Sequence, residues 1–344
     1  MNKTLIFLHI HKTAGTSLKH LIMRQYPRDT TYLMDQHYFR LQKALDELGT
    51  LDLEARRRID CLIGHVAYGV HSILPRESTY LTMLREPVSR TLSHYHFVRA
   101  GSTPDEAAML DEKEHLTLMD HLTLYERLCR EHLRPENLPT NSLQAALDKL
   151  TLNQRQFREH LRPENTPANS LEAFLDMSLA SESLNLQTRM IAGFVPHDRL
   201  IPPYPPLPDN ALETAKINLR DNISVCGLVE RFDESILLMK SIFGWHDIYY
   251  MRENVRRGQS HEPSVAKAML RRIERHCELD LELYGYAQAL FAERLRELPD
   301  LTAAALRRFR LRHGLYRLCQ GVRRAYDRTR LPRVKSYVGR IFRR

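Results

Sequence analysis

The stretch "LIFLHIHKTAGTSLKHLI" (residues 5–22) joins an apolar run to a helical pattern through a short polar turn. The run from Leu5 to Ile10 is apolar enough to form a strand that is buried on both faces, as the strands of parallel sheets are. After the turn, Leu18, Leu21 and Ile22 follow helical spacing. The stretch therefore predicts a β-strand that leads directly into an α-helix.

The turn "HKTAGTS" (residues 11–17) has the composition of an anion site. The first backbone N–H groups of a helix are unpaired, and together with the helix dipole they attract anions. Gly15 allows close backbone approach, Thr13, Thr16 and Ser17 carry hydroxyl groups, and Lys12 adds a positive charge. We therefore expect a cradle for phosphate or sulfate, although a tight connection with a solvated lysine would have the same pattern.

The turn differs from a Walker A loop. In GxxxxGK[ST] the lysine directly follows the second glycine, whereas Lys12 precedes Gly15 by three residues. The sequence therefore argues against an ordinary ATPase.

Four further segments have the pattern of buried strands, and helical patterns separate most of them. This alternation predicts a mostly parallel α/β sheet flanked by helices. The segments are "TTYLM" (30–34), "DCLIGH" (60–65), "TYLTML" (79–84) and "ISVCGLV" (223–229).

A second anion motif follows the third of these segments, "TYLTML", in "REPVSRTLSHYHF" (residues 85–97). Arg85 ends the strand, Pro87 lies near a helix start, and Ser93 is just over two helical turns after Arg85. The guanidinium and the hydroxyl could converge on one phosphate. Pairing of Arg85 with Glu86 or a helix acid is the alternative.

Together the two motifs resemble those of the PAPS-dependent carbohydrate sulfotransferases, of the heparan sulfate 2-O- and 6-O-sulfotransferase type with its bacterial relatives. PAPS is 3′-phosphoadenosine 5′-phosphosulfate. The likeness extends to "LNLQTRMIAG" (184–193), "GLVERFDESILLM" (227–239) and "ELDLELYGYAQALF" (278–291). The resemblance implies a P-loop nucleotide-kinase-like fold and PAPS as co-substrate. It also implies that Lys12, Thr13, Ala14, Gly15, Thr16 and Ser17 hold the 5′-phosphosulfate and that Arg85 and Ser93 hold the 3′-phosphate.

Sulfuryl transfer to a hydroxyl needs a base and a positive charge beside the bridging oxygen. Lys12 can supply the positive charge, and His65, at the carboxyl end of the predicted strand 60–65, can act as the base. The family has a catalytic histidine after a glycine here, but its 2-O-type members carry another histidine where this chain has Ile63. His71 is the competing base.

Two HxH pairs, His9 with His11 and His94 with His96, lack nearby carboxylates, and we expect no metal. A basic segment before residue 263 resembles a loop that closes over the nucleotide in relatives, with a solvated loop as the alternative. Its basic and amide residues are Arg252, Asn254, Arg256 and Arg257.

The net charge of +9 is concentrated at the carboxyl end of the chain. Residues 307–344 carry 14 Arg or Lys and one acid, Asp327, and the apolar residues mixed among them are typical of an amphipathic segment at an anionic membrane surface. Nucleic acid is a less favoured partner because no nucleic-acid motif accompanies the charge. We expect a sulfotransferase domain over residues 1–306 and a basic tail over residues 307–344.

A repeat recurs at an offset of 28 residues: residues 130–148 and 158–176 are identical at 15 of 19 positions. We expect it to belong to a helical insertion at about residues 102–180, away from functional residues. The five cysteines are far apart and suggest buried thiols rather than disulfides. Residues 262–297 are expected to be helical, with Pro263 near the start.

The chain begins without a signal peptide and contains no apolar stretch of 18 residues, so a bacterial cytoplasmic protein, peripheral at the inner membrane through its tail, is expected. Its acceptor would be a glycan or a lipid-linked sugar. Two alternatives stay open, an ATP-dependent kinase of related fold and a catalytically silent scaffold at a membrane surface.

Overall fold

A five-stranded sheet forms the centre of the protein. The structure is a computed structural model that describes residues 3–34, 41–100, 171, 172, 174–176, 178, 184–195, 205–251 and 265–328. Its strands run parallel in the order β2-β3-β1-β4-β5, which confirms the predicted parallel α/β fold. They are β1 (Thr4–Leu8), β2 (Thr31–Leu33), β3 (Cys61–Gly64), β4 (Ser78–Leu84) and β5 (Ile223–Leu228).

Helices connect and cover these strands. They are α1 (Gly15–Ile22), α2 (Leu41–Thr50), α3 (Leu53–Arg57), α4 (Pro87–Ala100), α5 (Leu186–Ala192), α6 (Ala211–Ile217), α7 (Phe232–Phe243), α8 (Lys267–His276), α9 (Glu278–Glu297) and α10 (Ala303–Arg328). In the described part of the chain, no helix is both long and apolar enough to cross a membrane.

The main core lies on the central strands. All residues of β1 and β3 are buried, as the continuous apolar runs predicted. A second apolar cluster packs around Tyr95 of α4, and it includes Phe174 and Leu175 together with Ile273 and Cys277. The end of the second repeat copy therefore packs against α4.

The segment 262–297, which was expected to be helical, forms two helices, because the helical path is interrupted between α8 and α9 at Cys277. The side chain of Asn185 occupies this break. Its Nδ2 donates to the carbonyl of His276 at 3.1 Å, and its Oδ1 accepts from the N–H of Asp280 at 3.0 Å. The break thus depends on a residue more than 90 positions earlier, which helical periodicity does not reveal.

Several predicted features lie outside the described residues. These are the first repeat copy, most of the insertion, Cys129, the segment with Arg252 and Arg257, and residues 329–344. Among the described cysteines, Cys61, Cys226 and Cys277 are buried as expected, whereas Cys319 is exposed on α10.

The carboxyl ends of the strands define the edge where a ligand site is expected. From β1 the chain continues towards β2 on one side of the sheet, and from β4 it continues towards β5 on the other. Such a change of direction opens a crevice between β1 and β4 at the carboxyl edge, which is where open α/β sheets bind ligands.

Candidate anion-binding site

The loop between β1 and α1 has an unusual backbone. Lys12 and Ala14 have positive φ angles of 67° and 60°, and Thr13 between them does not. Alternation of this kind turns successive N–H groups towards one side and forms an anion-binding concavity. A non-glycine residue in the left-handed region costs about 1–3 kcal/mol, so the surrounding structure must impose it. Strain of this kind is typical of functional sites.

Thr13 stabilises the loop from within. Its hydroxyl donates a hydrogen bond of 2.8 Å to the carbonyl of Ile10, and its side chain is fully buried. The sequence predicted that the Thr13 hydroxyl would donate to a bound anion, but its hydrogen is already donated to a carbonyl inside the loop. Thr16 is half-buried and Ser17 buried in the first turn of α1.

Gly15 is required by the imidazole of His9. A Cβ atom built on Gly15 would lie 1.7 Å from Nε2 of His9, far below any real contact distance. The glycine thus lets a buried histidine ring pack directly against the start of α1. The sequence predicted close approach at Gly15 but not the identity of the approaching group.

Three histidines form a stack beside this loop. The ring centroids of His9 and His65 are 4.1 Å apart, and those of His11 and His65 are 3.5 Å apart, with interplanar angles of 27° and 17°. His9 and His11 follow β1, and His65 directly follows β3, the neighbour of β1. The parallel pairing of the two strands therefore produces the stack.

The hydrogen bond of His65 determines its tautomer. Nδ1 of His65 lies 2.6 Å from the carbonyl oxygen of His9. A carbonyl only accepts, so Nδ1 carries the proton and the neutral ring has its basic lone pair on Nε2. This is the form that a general base needs.

His71 lies in a different environment. Its Nδ1 is 2.9 Å from the hydroxyl of Tyr80, which also accepts from the backbone N–H groups of Gly69 and His71. Tyr80 is four residues before the end of β4, whereas His65 comes immediately after the end of β3. The structure therefore places His65, rather than His71, next to the β1 loop.

Arg85 connects the two predicted anion motifs. It follows the last residue of β4, and its Nη1 donates to the carbonyl of Lys12 at 3.2 Å. The side chain of Gln187 fixes the backbone of Arg85 from both sides, accepting from its N–H at 2.9 Å and donating to its carbonyl at 3.0 Å. Burial lowers the pKa of Arg85, which Glu230 and Glu86 partly offset, but an arginine stays charged at neutral pH.

Helix α4 brings a second, buried guanidinium to the site. Only 2% of the Arg90 side chain is exposed, and its Nε lies 4.0 Å from Oδ2 of Asp280, too far for a hydrogen bond. Within the described residues, its Nε and Nη1 are buried without a hydrogen-bond partner. Ser93 and His94 lie one turn further along the same face, and both are partly buried.

Burial and positive neighbours keep two of the histidines neutral. Burial lowers the pKa of His11 well below its usual value, and His65, His9, His94 and Arg90 lower it further. Burial, Arg90 and Lys12 lower the pKa of His94 to about 3. These effects indicate a positive potential between α4 and the β1 loop.

Sequence reasoning missed part of this arrangement. His9, His11 and His94 were considered only as members of HxH metal pairs, and no described group of three His, Cys, Asp or Glu side chains could hold a metal ion. Arg90 lies in the second anion motif and Gln187 in the segment 184–193, but the sequence analysis assigned neither residue a function. The spacing of four between Arg90 and His94 places them on one helix face and could have revealed the pair.

Comparison with known proteins does not extend this description. No protein-family model matches the chain, and no curated protein matches it significantly.

Proposed function

We propose that the protein is a PAPS-dependent sulfotransferase that transfers the sulfuryl group to a hydroxyl of a carbohydrate or glycolipid. One observation carries this proposal: the hydrogen bond from Arg85 to the carbonyl of Lys12. It joins two motifs, 73 residues apart in the chain, whose resemblance predicted the 5′-phosphosulfate and 3′-phosphate sites. The fold is proposed to be of the P-loop nucleotide-kinase type, with the anion loop after its central strand.

The charges of the site suit such a donor. PAPS carries roughly four negative charges at neutral pH, because its 3′-phosphate is nearly dianionic. Lys12, Arg85 and Arg90 bring three positive charges to the carboxyl edge of β1 and β4. Two further features suit an anion: the strained β1 loop, and the buried Nε and Nη1 of Arg90, which have no hydrogen-bond partner in the described part of the chain.

The proposed chemistry uses His65 and Lys12. His65 Nε2 accepts the proton of the acceptor hydroxyl as its oxygen bonds to sulfur, while the bond from sulfur to the bridging oxygen of the donor breaks. The products are a sulfate ester, adenosine 3′,5′-bisphosphate and the imidazolium of His65, which then releases its proton to water. Lys12 stabilises the negative charge on the departing oxygen.

The test compares two nucleotides by thermal shift. Adenosine 3′,5′-bisphosphate at one hundred times its dissociation constant should add about 2.7 kcal/mol to the free energy of unfolding. ATP lacks a 3′-phosphate and should stabilise the protein far less. Arg85→Gln should lose most of the bisphosphate effect, whereas Arg220→Gln, which removes an exposed arginine paired with Asp221, should keep it.

Each alternative has its own outcome. Equal stabilisation by ATP and the bisphosphate would favour an ATP-dependent kinase. No shift with either nucleotide, in a protein that unfolds cooperatively, would favour a catalytically silent scaffold. If the bisphosphate binds, turnover of PAPS with a set of bacterial glycans and lipid-linked sugars identifies the acceptor.

A further inference from the structure

Helix α10 has two different apolar faces. The first packs against the domain: Phe309 and His313 are buried, and the rings of Phe309 and Tyr316 stack on Tyr249 at 5.8 Å and 5.6 Å. Nε2 of His313 donates to the carbonyl of Tyr250 at 2.8 Å. The contacts of this first face hold α10 against the rest of the protein.

The second face lies on the opposite side of the helix. Leu311, Leu315 and Leu318 follow the spacing of four and three residues that places side chains in one row. Their exposed fractions are 72%, 64% and 66%, and only three other large apolar side chains of the described chain are classed as exposed, at 40–47%. A surface helix needs one apolar face for folding, so this second row requires another explanation.

Arginines border the leucine row on both sides. At 100° per residue, Arg310 and Arg317 lie on one flank and Arg308 and Arg312 on the other. Arg310 is paired with Asp233 of α7, but the sequence has no acid from residue 301 to residue 326, so the helix itself offers no negative charge to the other three. A helix with an apolar row between cationic flanks is the arrangement that lies in the interface of an anionic bilayer.

We propose that α10 docks the protein on a bilayer surface that contains anionic phospholipids, with Leu311, Leu315 and Leu318 inserted among the acyl chains. The guanidinium groups of Arg308, Arg312 and Arg317 then lie at the level of the phosphates. This inference is independent of the proposed sulfotransferase activity. A second copy of the chain is a poorer occupant because a stable interface needs roughly 800 Å² from each partner, far more than three leucines provide.

The attachment of α10 places the membrane near the candidate site. Arg310 forms a 3.0 Å ion pair with Asp233, the second residue of α7. Asp233 comes five residues after the end of β5, at the carboxyl edge of the sheet. The amino-terminal part of α10 is therefore held at the same edge of the sheet as the β1 loop.

The test measures sedimentation of the full chain with vesicles. We expect binding to phosphatidylcholine vesicles that contain phosphatidylglycerol, much weaker binding to phosphatidylcholine alone, and a decrease with added salt. The triple variant Leu311→Ser, Leu315→Ser and Leu318→Ser should lose at least tenfold in affinity. The double variant Arg308→Gln and Arg312→Gln should also lose at least tenfold at low salt, since each basic residue contributes about fivefold.

A matched control removes exposed apolar residues elsewhere. Leu53→Ser, Ile217→Ser and Ile242→Ser together replace the three other exposed large apolar side chains and should leave vesicle affinity unchanged. Circular dichroism and thermal unfolding establish that each variant is folded.

Three results would overturn the proposal. The first is equal binding to neutral and anionic vesicles, and the second is full affinity in the triple leucine variant. The third is a dimer of the wild type in analytical sedimentation that becomes a monomer in the triple leucine variant. That result would show that the leucine row contacts a second copy of the chain.

Discussion

At the scale of single residues, the site combines a strained backbone with the buried guanidinium group of Arg90. The left-handed conformations of Lys12 and Ala14 and the contact of Gly15 with the His9 ring fix the loop before any ligand binds. A loop that is already in its binding conformation loses little further entropy on binding. The site is therefore organised by the protein itself.

Lys12 and His65 should differ in what they contribute. Lys12→Ala should weaken binding of adenosine 3′,5′-bisphosphate and also slow sulfate transfer, because the charge acts on both the donor and the leaving oxygen. His65→Ala should bind the bisphosphate as the wild type does but transfer sulfate about 10² to 10⁴ times more slowly, because a base acts in the transition state. Calorimetry and a transfer assay measure the two effects.

The histidine next to Tyr80 provides the control for this comparison. His71→Ala should keep both binding and transfer, since its ring is bonded to the hydroxyl of Tyr80. If His65→Ala transfers sulfate at nearly the wild-type rate while His71→Ala does not, the assignment of the base is wrong.

The sequence predicted which candidate residues follow the strand ends, but not which side chains surround them. Lys12, His65 and Arg85 are candidates because each lies at or just after the end of a predicted strand, where ligands of parallel sheets bind. His9 was missed because its role depends on a ring contact with Gly15 across the loop. Arg90 was missed because its burial follows from the packing of α4 against Asp280, which no local pattern encodes.

At the scale of elements, the buried carboxylate of Asp280 holds α5 in place. Asp280 Oδ1 accepts from the N–H of Thr188 at 2.7 Å and from its hydroxyl at 2.8 Å, and Oδ2 accepts from the N–H of Gln187 at 3.2 Å. Gln187 in turn fixes Arg85. Asp280 of α9 thus accepts hydrogen bonds from the free N–H groups in the first turn of α5. By fixing Gln187 it also supports the position of Arg85 in the candidate anion site.

Asp280→Ala should lower the free energy of unfolding by about 3–5 kcal/mol, because it leaves buried donors unpaired and Arg90 without a nearby negative charge. Asp280→Asn keeps an acceptor and should cost less. Urea unfolding measures both, with the exposed Asp221→Ala as control. A loss below about 1 kcal/mol for Asp280→Ala would show that the carboxylate is not structural.

The strands were predicted within two residues at each end, whereas the division of the helical segment 262–297 into two helices was not predicted. Strand prediction succeeded mainly because β1, β3 and most of β4 and β5 are short runs buried in the sheet, whereas the edge strand β2 is only partly buried. The break between α8 and α9 could not be predicted because Asn185 creates it through tertiary hydrogen bonds. Local pattern determines strands here, and distant side chains determine where the helices end.

At the scale of the whole molecule, the neutral histidines make stability depend on pH. A histidine whose pKa is lower in the folded state binds fewer protons there than in the unfolded state, so stability falls as pH decreases. For His94 the loss begins near its ordinary value of 6.5 and ends near its folded pKa of about 3. Between pH 7 and pH 5 it amounts to about 2 kcal/mol.

His94→Gln should therefore lose about 2 kcal/mol less stability than the wild type between pH 7 and pH 5, as urea unfolding at the two pH values would measure. His246→Gln, at an exposed position, should behave as the wild type does. An identical pH dependence of His94→Gln and the wild type would show that His94 does not titrate between the two states.

The position of β5 has a consequence for synthesis on the ribosome. Strands β1 to β4 all lie within the first 84 residues, but Ile223, which begins β5, comes about 140 residues later. At 5–20 residues per second, β4 waits roughly 7 to 28 s before its partner is made. Until then its outer edge presents unpaired backbone groups to any neighbouring strand. The nascent chain is thus most prone to aggregation during this interval, when a chaperone that covers strand edges would protect it.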